Sequence, residues 1–358
     1  MLSTLAAIDQ RYLQRCADLA ALADSQVRDN PRVGAVLVHQ DRIIGEGYHQ
    51  KAGAAHAEVN CLASVTEQDR ALIPEATLYI SLEPCCVTGR TGACTDLIQR
   101  EHIKTVVFAQ RDTTPGVDGE SVSILHGAGV AVREYPDFKP TISVNAHRRT
   151  LTTLGRPRVI LKYALSADGF IRPADREQSY WITGPVSRRL VHRWRANTAA
   201  VIVGGRTVVE DDPALTTRLY PGPNPRPVII DLRDRCTGKE RLFQDVTAPP
   251  LLFSGTKRLG LNAENIVLGA VLNKEALTQV LGKLEEQRYG EVTVEGGATL
   301  LNTFIATNLW DEVRIFTGTI RFGAGLAAPI VPTSAKVIRR EMVGEDRLEV
   351  IANSLADQ

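Results

Sequence analysis

The feature that most restricts the fold of this chain is a set of metal-type donors that must meet although they stand on different elements. His56-Ala57-Glu58 opens a segment, residues 54–64, that reads as a helix with His56 and Glu58 in its first turn. Leu78-Tyr79-Ile80-Ser81-Leu82 reads as a strand running into the Pro84-Cys85 turn, and Cys94 precedes a helix over 96–100. One imidazole and two thiolates can hold a zinc ion whose fourth position stays open to water. A layered α/β arrangement, with strand ends and helix starts on one edge, brings such residues together. Taken singly, a buried cysteine is more often core and a histidine at a helix start more often a cap. Four residue types in this order, on these elements, favour the metal. The cysteines at 16, 61, 85, 86, 94 and 236 are too scattered for a disulfide framework, and the cluster 85, 86 and 94 points the same way. Cys61 and Cys86 are read as bystanders, Cys86 because adjacent residues seldom aim at one ion. His49, His102, His126 and His192 lack ligand-like neighbours and are assigned no role.

At 358 residues the chain exceeds one average domain, and two are expected. Residues 6–24 read as a helix, 33–38 and 42–47 as a hairpin, and 105–109 as a further strand. Around 139–158 the character changes, with Pro140, His147-Arg148-Arg149 and Gly155-Arg156-Pro157. A first domain over 1–146, a linker over 147–158 and a second domain over 159–358 are therefore expected. In the second, strands at 159–163, 200–203, 228–231 and 292–295 alternate with helices at 186–195 and 300–307, again an α/β pattern. Val203-Gly204-Gly205 and Glu295-Gly296-Gly297 put small residues where a strand meets a helix, so backbone can approach a phosphate closely. Neither is G-x-G-x-x-G, and the standard dinucleotide-binding fold is not expected. Lys and Arg number 42 against 41 Asp and Glu, a net charge of +1, which gives no electrostatic case for nucleic acid or an anionic membrane. No apolar run reaches membrane-spanning length and Met1 to Ala20 shows no leader pattern, so a cytoplasmic location is expected.

The order His-x-Glu, Pro-Cys, Cys is that of zinc-dependent nucleobase deaminases, where a Glu that is not a ligand shuttles a proton to the departing ammonia. Wider matches narrow the family. Asn30-Pro31-Arg32-Val33-Gly34, Gly45-Glu46-Gly47-Tyr48-His49, Ala52-Gly53 before His56-Ala57-Glu58-Val59-Asn60, and Glu83-Pro84-Cys85, Gly89-Arg90-Thr91 and Cys94 resemble the N-terminal half of the bifunctional riboflavin-pathway deaminase–reductases. Lys162 to Gly169, Trp181-Ile182-Thr183, Arg195-Ala196, Thr207 to Arg218 and Glu295-Gly296-Gly297 resemble their C-terminal half.

This resemblance implies a cytidine-deaminase-like three-layer domain followed by a dihydrofolate-reductase-like α/β domain, with Zn2+ and NADPH as cofactors. It implies His56, Cys85 and Cys94 as metal ligands and Glu58 as the proton carrier. Ala164, Trp181, Thr207, Asp211, Gly297, Ala298, Thr299, Leu300, Leu301, Asn302 and Thr303 would line the NADPH site. Ser179, Arg195, Leu215, Arg218, Glu295 and Asn30 would meet substrate. Lys162, at a strand end, is a candidate for polarising a ring-opened ribose carbonyl. The implied reactions are deamination of 2,5-diamino-6-(5-phosphoribosylamino)pyrimidin-4(3H)-one, then reduction of 5-amino-6-(5-phosphoribosylamino)uracil to the ribityl product. Family members tend to pair through the reductase half, which implies a homo-oligomer.

The chain departs from the family pattern in one region. Cys86-Val87 stands for Ser-His, Gly92-Ala93 for Pro-Pro, Asp112-Thr113-Thr114-Pro115 for Asp-Pro-Asn-Pro, and Asp29-Asn30-Pro31 for Pro-Asn-Pro. The catalytic set stays complete while the substrate pocket is altered. Four alternatives follow: the same build acting on another aminopyrimidine, a chain in which only the reductase works, a nucleic-acid-editing deaminase, and a binding module with structural zinc. Neutral charge and the lack of a basic–aromatic stripe disfavour the third. The fourth requires another protein ligand, such as Cys86.

Overall fold

The computed structural model describes residues 2–87, 92–114, 116–175, 181–245 and 248–354, divided into two units, 1–155 and 156–358. The first unit runs α1 (Leu2–Ala20), β1 (Gly34–His39), β2 (Arg42–Tyr48), α2 (Ala57–Ala63), β3 (Thr77–Leu82), α3 (Cys94–Arg100), β4 (Thr105–Gln110), α4 (Glu120–Gly127), β5 (Ala131–Glu134), α5 (Lys139–Val144) and α6 (Ala146–Leu154). The strands lie in the order β2-β1-β3-β4-β5. β1 is antiparallel to both β2 and β3, whereas β3, β4 and β5 are parallel.

Successive side chains of a strand point to opposite faces, and here both faces are covered. Leu37, Leu78, Ile80, Val106 and Phe108 pack on one side with Cys61 and Leu62 of α2, Leu97 and Ile98 of α3 and Leu125 of α4. Val36, Val38, Tyr79 and Val107 pack on the other with Tyr12, Leu13, Cys16 and Leu19 of α1. That double burial is why the strands read as unbroken apolar runs. Helix α1 approaches β1 so closely that a Cβ at Gly34 would collide with the Cys16 carbonyl oxygen. Asp9 anchors the helix: its buried carboxylate accepts from Tyr79 Oη at 2.9 Å, Tyr135 Oη at 2.7 Å and Arg133 Nε at 2.8 Å.

The segment 147–158, expected as a linker, has a different structure. Most of it is the helix α6, which belongs to the first unit, and the division falls between Gly155 and Arg156. Polar groups dock the helix. Asn145, just before it, exchanges hydrogen bonds with the Arg32 backbone at 2.8 and 3.0 Å, and His147 Nε2 lies 3.0 Å from the Asn30 carbonyl oxygen. The helix expected over 54–64 is shorter, and His56 sits at its N-cap in extended conformation, one residue before α2.

The second unit runs β6 (Arg158–Leu165), β7 (Phe170–Pro173), α7 (Pro185–Asn197), β8 (Ala200–Gly204), α8 (Gly205–Asp211), β9 (Arg226–Asp231), β10 (Leu251–Ser254), β11 (Glu264–Val267), α9 (Lys274–Glu286), β12 (Glu291–Val294), α10 (Ala298–Ala306), β13 (Glu312–Thr317), β14 (Gly325–Ala327), β15 (Lys336–Val343) and β16 (Asp346–Ala352). Its main sheet, among the described residues, has the order β11-β10-β9-β8-β12-β6-β13-β16-β15. The pairs from β11 to β13 are parallel, and β16 and β15 close the edge antiparallel. Val159, Leu161, Ile202, Val228, Phe253 and Val294 face Leu277, Val280, Leu281 and Leu284 of α9 and Leu300, Leu301 and Phe304 of α10. On the other side Val201, Val203 and Ile229 meet Val208 of α8, and Phe316, Leu348 and Val350 meet Val191 of α7.

Candidate active sites

In the first unit the C-terminal end of β3 feeds the Glu83-Pro84-Cys85 turn, while His56 and Cys94 stand at the starts of α2 and α3. Parallel strand ends and helix starts thus share one edge of the sheet. His56 Nδ1 lies 3.4 Å from Cys85 Sγ and 3.4 Å from Cys94 Sγ, and all three donor atoms fall within 4.8 Å of one another. Zinc–sulfur and zinc–nitrogen bond lengths in a tetrahedron place such donors about 3.6 Å apart. The three residues therefore fit one zinc ion. Contact with Cys94 and His56 holds the Cys85 thiol well below its ordinary value despite burial, while the same contact pushes the Cys94 thiol up, so the pair shares one proton until a metal displaces it. Glu58 is buried beside them; burial first, then the Cys85 sulfur, push its carboxyl up. Cys86 is not among the grouped donors, and its Sγ contacts the Gly116 carbonyl oxygen at 3.5 Å.

The wall of this site holds a residue that sequence reasoning passed over. His49 is buried with its ring 5.7 Å from that of His56, and its Nε2 lies 3.2 Å from Asn30 Nδ2. Sequence-predicted Asn30 is thus brought to the site through His49. Hairpin pairing could have signalled it: Gly34 pairs with Tyr48 and the His49 N–H donates to the Val33 carbonyl, which returns His49 to the Asn30 segment. Glu83 braces the neighbouring loop, accepting from the Asp112 N–H at 3.3 Å, the Gly119 N–H at 3.0 Å and Ser121 Oγ at 2.5 Å.

In the second unit the candidate residues gather at the C-terminal ends of the parallel strands, where open α/β sheets bind ligands. Arg195 of α7 grips Glu295, which follows β12, through two hydrogen bonds of 2.7 Å, and its third contact is the Thr216 carbonyl at 3.0 Å. Lys162, expected at a strand end, lies instead inside β6, which continues to Leu165, and it faces the same pair. Burial lowers its ammonium, Glu295 opposes that and Arg195 adds to it, leaving the group below its ordinary value. Leu215 is buried with φ of +49°, and Arg218 lines an open depression of about 650 Å³ with Thr216, Leu219, Tyr220 and Asn224. His192, also unassigned from sequence, lies beside them. Burial first, then Arg195 and Arg218, bring its ring down to about 4, and neutral Nδ1 can accept from the Leu219 N–H at 3.4 Å. No local spacing in the sequence announces it.

Thr207 of α8 meets the Gly296-Gly297 turn. A Cβ at Gly296 would come within 3.1 Å of the Thr207 methyl, and Gly297 has φ of +76° as the N-cap of α10. A side-chain-free ledge at a helix start suits a phosphate, so these residues fit a nucleotide cofactor. Ala298 and Thr299 begin the helix and Asn302 is exposed along it. Leu300 and Leu301 are buried in the core and can offer only backbone, and Thr303 Oγ1 donates to the Thr299 carbonyl. Ala164 packs by Phe316, Asp211 ends α8, and the exposed Trp181 ring carries the Arg188 guanidinium at 4.6 Å. Ser179 lies outside the described residues.

Comparison with known proteins agrees with both halves. Residues 6–110 match the cytidine and deoxycytidylate deaminase zinc-binding region, and residues 157–343 match the RibD C-terminal domain. The riboflavin biosynthesis protein RibD of Aquifex aeolicus is 34% identical over 351 residues, covering 95% of this chain and 97% of that protein. Its namesake in Escherichia coli is 32% identical over 325 residues, covering 86% and 87%. A crystal structure of a diaminohydroxyphosphoribosylaminopyrimidine deaminase/5-amino-6-(5-phosphoribosylamino)uracil reductase from Thermotoga maritima superposes with a TM-score of 0.86 at 33% identity, covering 97% and 99%. The chain belongs to the RibD family of riboflavin biosynthesis, bifunctional enzymes that join a zinc-dependent deaminase to an NADPH-dependent reductase.

Proposed function

We propose that the first unit deaminates 2,5-diamino-6-(5-phosphoribosylamino)pyrimidin-4(3H)-one, and that the second reduces the ribosyl group of 5-amino-6-(5-phosphoribosylamino)uracil to ribityl. The observation that carries this reading is the meeting of His56, Cys85 and Cys94 from three separate elements beside buried Glu58. His56, Cys85 and Cys94 would hold the zinc. Bound there, it supplies Lewis acidity and lowers the pKa of water at its open position. Glu58 takes the proton from that water and gives it to the departing amine, a transfer its enclosed carboxyl suits. Among the described residues three donors group rather than four, which favours catalysis over a purely structural metal.

In the second unit Thr207, the Gly297 turn and the start of α10 would cradle the cofactor phosphates, with Ala164, Trp181 and Asp211 at its flank. NADPH supplies the hydride when bound. Arg195 and Glu295 orient the substrate with Leu215 and Ser179, Arg218 meets its phosphate, and Lys162 hydrogen-bonds the ribose carbonyl oxygen. Among the described residues no helix is long and apolar enough to cross a membrane; we place the enzyme in the cytoplasm, as a homo-oligomer through the reductase unit.

The test is the Glu58→Gln enzyme. Ammonia release should fall at least 100-fold, the usual weight of a positioned acid–base, with one zinc per chain retained and NADPH oxidation with the uracil intermediate intact. Substantial deamination by that variant would remove Glu58 from the chemistry. Full deamination of a different aminopyrimidine, with none of this one, would reassign the substrate.

A further inference from the structure

We propose that Arg148 of α6 is the cation that receives the substrate phosphate in the deaminase unit. The assignment rests on the phosphoribosyl substrate proposed above. Its guanidinium reaches the loop after β4, where Nη2 donates to Thr114 Oγ1 at 2.6 Å, and it reaches the segment before β1, where Nη1 lies 3.4 Å from the Asp29 carbonyl oxygen. The third nitrogen, Nε, is buried without a hydrogen-bond partner. Both partners are neutral, and among the described residues no carboxylate pairs with Arg148. Other arginines of this unit do find one: Arg15 pairs with Glu46, Arg111 with Glu134 and Arg133 with Asp9. The nearby Asp112 Oδ1 is engaged by the Thr114 N–H and hydroxyl. A half-buried guanidinium whose hydrogen-bonded groups are both neutral is short of an anion, and its planar fork matches phosphate oxygens.

Its place fits the role. From Asp29 the chain passes to Asn30, whose side chain meets His49, and His49 stacks edge-on with the metal ligand candidate His56. Arg148 therefore stands at the far end of the wall that runs to the reacting centre, as a phosphate several bonds from the pyrimidine amine requires. Docking of α6 does not depend on it, because Asn145 and His147 already bind the Arg32 and Asn30 backbone. Thr114, which its Nη2 touches, also lies in the region where this sequence departs from the family pattern.

The experiment compares the zinc-loaded wild-type enzyme with Arg148→Met and Arg148→Lys on two substrates, the diaminopyrimidinone ribotide and its dephosphorylated riboside. The wild type should favour the ribotide. Arg148→Met should raise KM for the ribotide roughly 10- to 100-fold, the usual range for losing hydrogen bonds to a charged group, with kcat and the riboside kinetics nearly unchanged. Arg148→Lys should recover part of the loss. Inorganic phosphate should inhibit the wild type more than Arg148→Met. Equal damage to both substrates, or to neither, would make Arg148 a structural staple and overturn the assignment. Discrimination that survives in Arg148→Met overturns this assignment alone, whereas a wild type indifferent to the phosphate overturns the phosphoribosyl reading with it.

Discussion

Lys162 illustrates how much a single side chain depends on what its neighbours have already satisfied. Arg195 and Glu295 pair with each other through two short hydrogen bonds, and Nζ of Lys162 has no hydrogen-bond partner among the described residues. Its donors are left for a ligand, and burial brings its proton within easier reach than in an ordinary lysine. Lys162→Ala should therefore lower reductase kcat by about 100- to 1000-fold, the cost of removing one donor from a developing oxyanion, with NADPH affinity unchanged. Because the folded group titrates below its ordinary value, the alkaline limb of the wild-type rate profile should appear early and vanish in the variant. Full turnover by Lys162→Ala in an NADPH-oxidation assay would end this role. Lys162, read as a strand-end residue, lies inside β6, whereas His56 and Cys85 were marked in the sequence by a helix start and a Pro-Cys turn. His49 and His192 were not, since their significance lies in the rings and guanidinium groups that tertiary folding sets beside them.

Among the elements, the parallel strands of the second unit begin on an ionic ladder. Arg158 at the start of β6 lies 3.1 Å from Glu291 of β12 and 2.7 Å from Glu312 of β13, which also meets Arg314 at 2.5 Å. Burial alone would raise the Glu312 carboxyl, but Arg314 and Arg158 outweigh it and bring the group down to about 2. Its folded value lies below its unfolded one, so its stabilisation is complete above roughly pH 4.5 and is lost as pH falls towards 2. Urea unfolding at pH 7 and pH 3 should show Glu312→Gln weaker at pH 7 by roughly 2–3 kcal/mol, with a shallower loss on acidification. An unchanged pH slope would show that the ladder adds nothing. Sequence patterning found β6, β8, β9 and β12, where burial on both faces leaves apolar runs, but passed over the inner strands β10 and β13. It failed at α6, whose buried contacts come from Asn145, His147 and Arg148 rather than an apolar stripe. It failed again at β15, where Lys336 to Met342 are all exposed and show no alternation. Helix α9 was readable in principle, with Asn273 capping the Ala276 N–H and Leu277, Val280, Leu281 and Leu284 at helical spacing.

At the scale of the whole molecule, the proposed homo-oligomer would form through exposed Ile338 and Met342 on the edge strand β15. A multimer by light scattering that becomes a monomer in Ile338→Glu would support that interface, and a wild-type monomer would remove it. The division of labour makes a stronger demand. Among the described residues the apolar clusters of 1–155 and those of 156–358 share no member, so each unit has a core of its own. The proposed zinc ligands His56, Cys85 and Cys94 all belong to the first, where metal binding would also stabilise the fold that presents them. Chelation should accordingly abolish ammonia release and lower the melting temperature of the first unit. NADPH oxidation with the uracil intermediate should stay within about twofold of the untreated enzyme, and zinc added back should restore deamination alone. Parallel loss of both activities would mean that the reductase depends on a metal-bearing first unit, against the independence that separate cores imply.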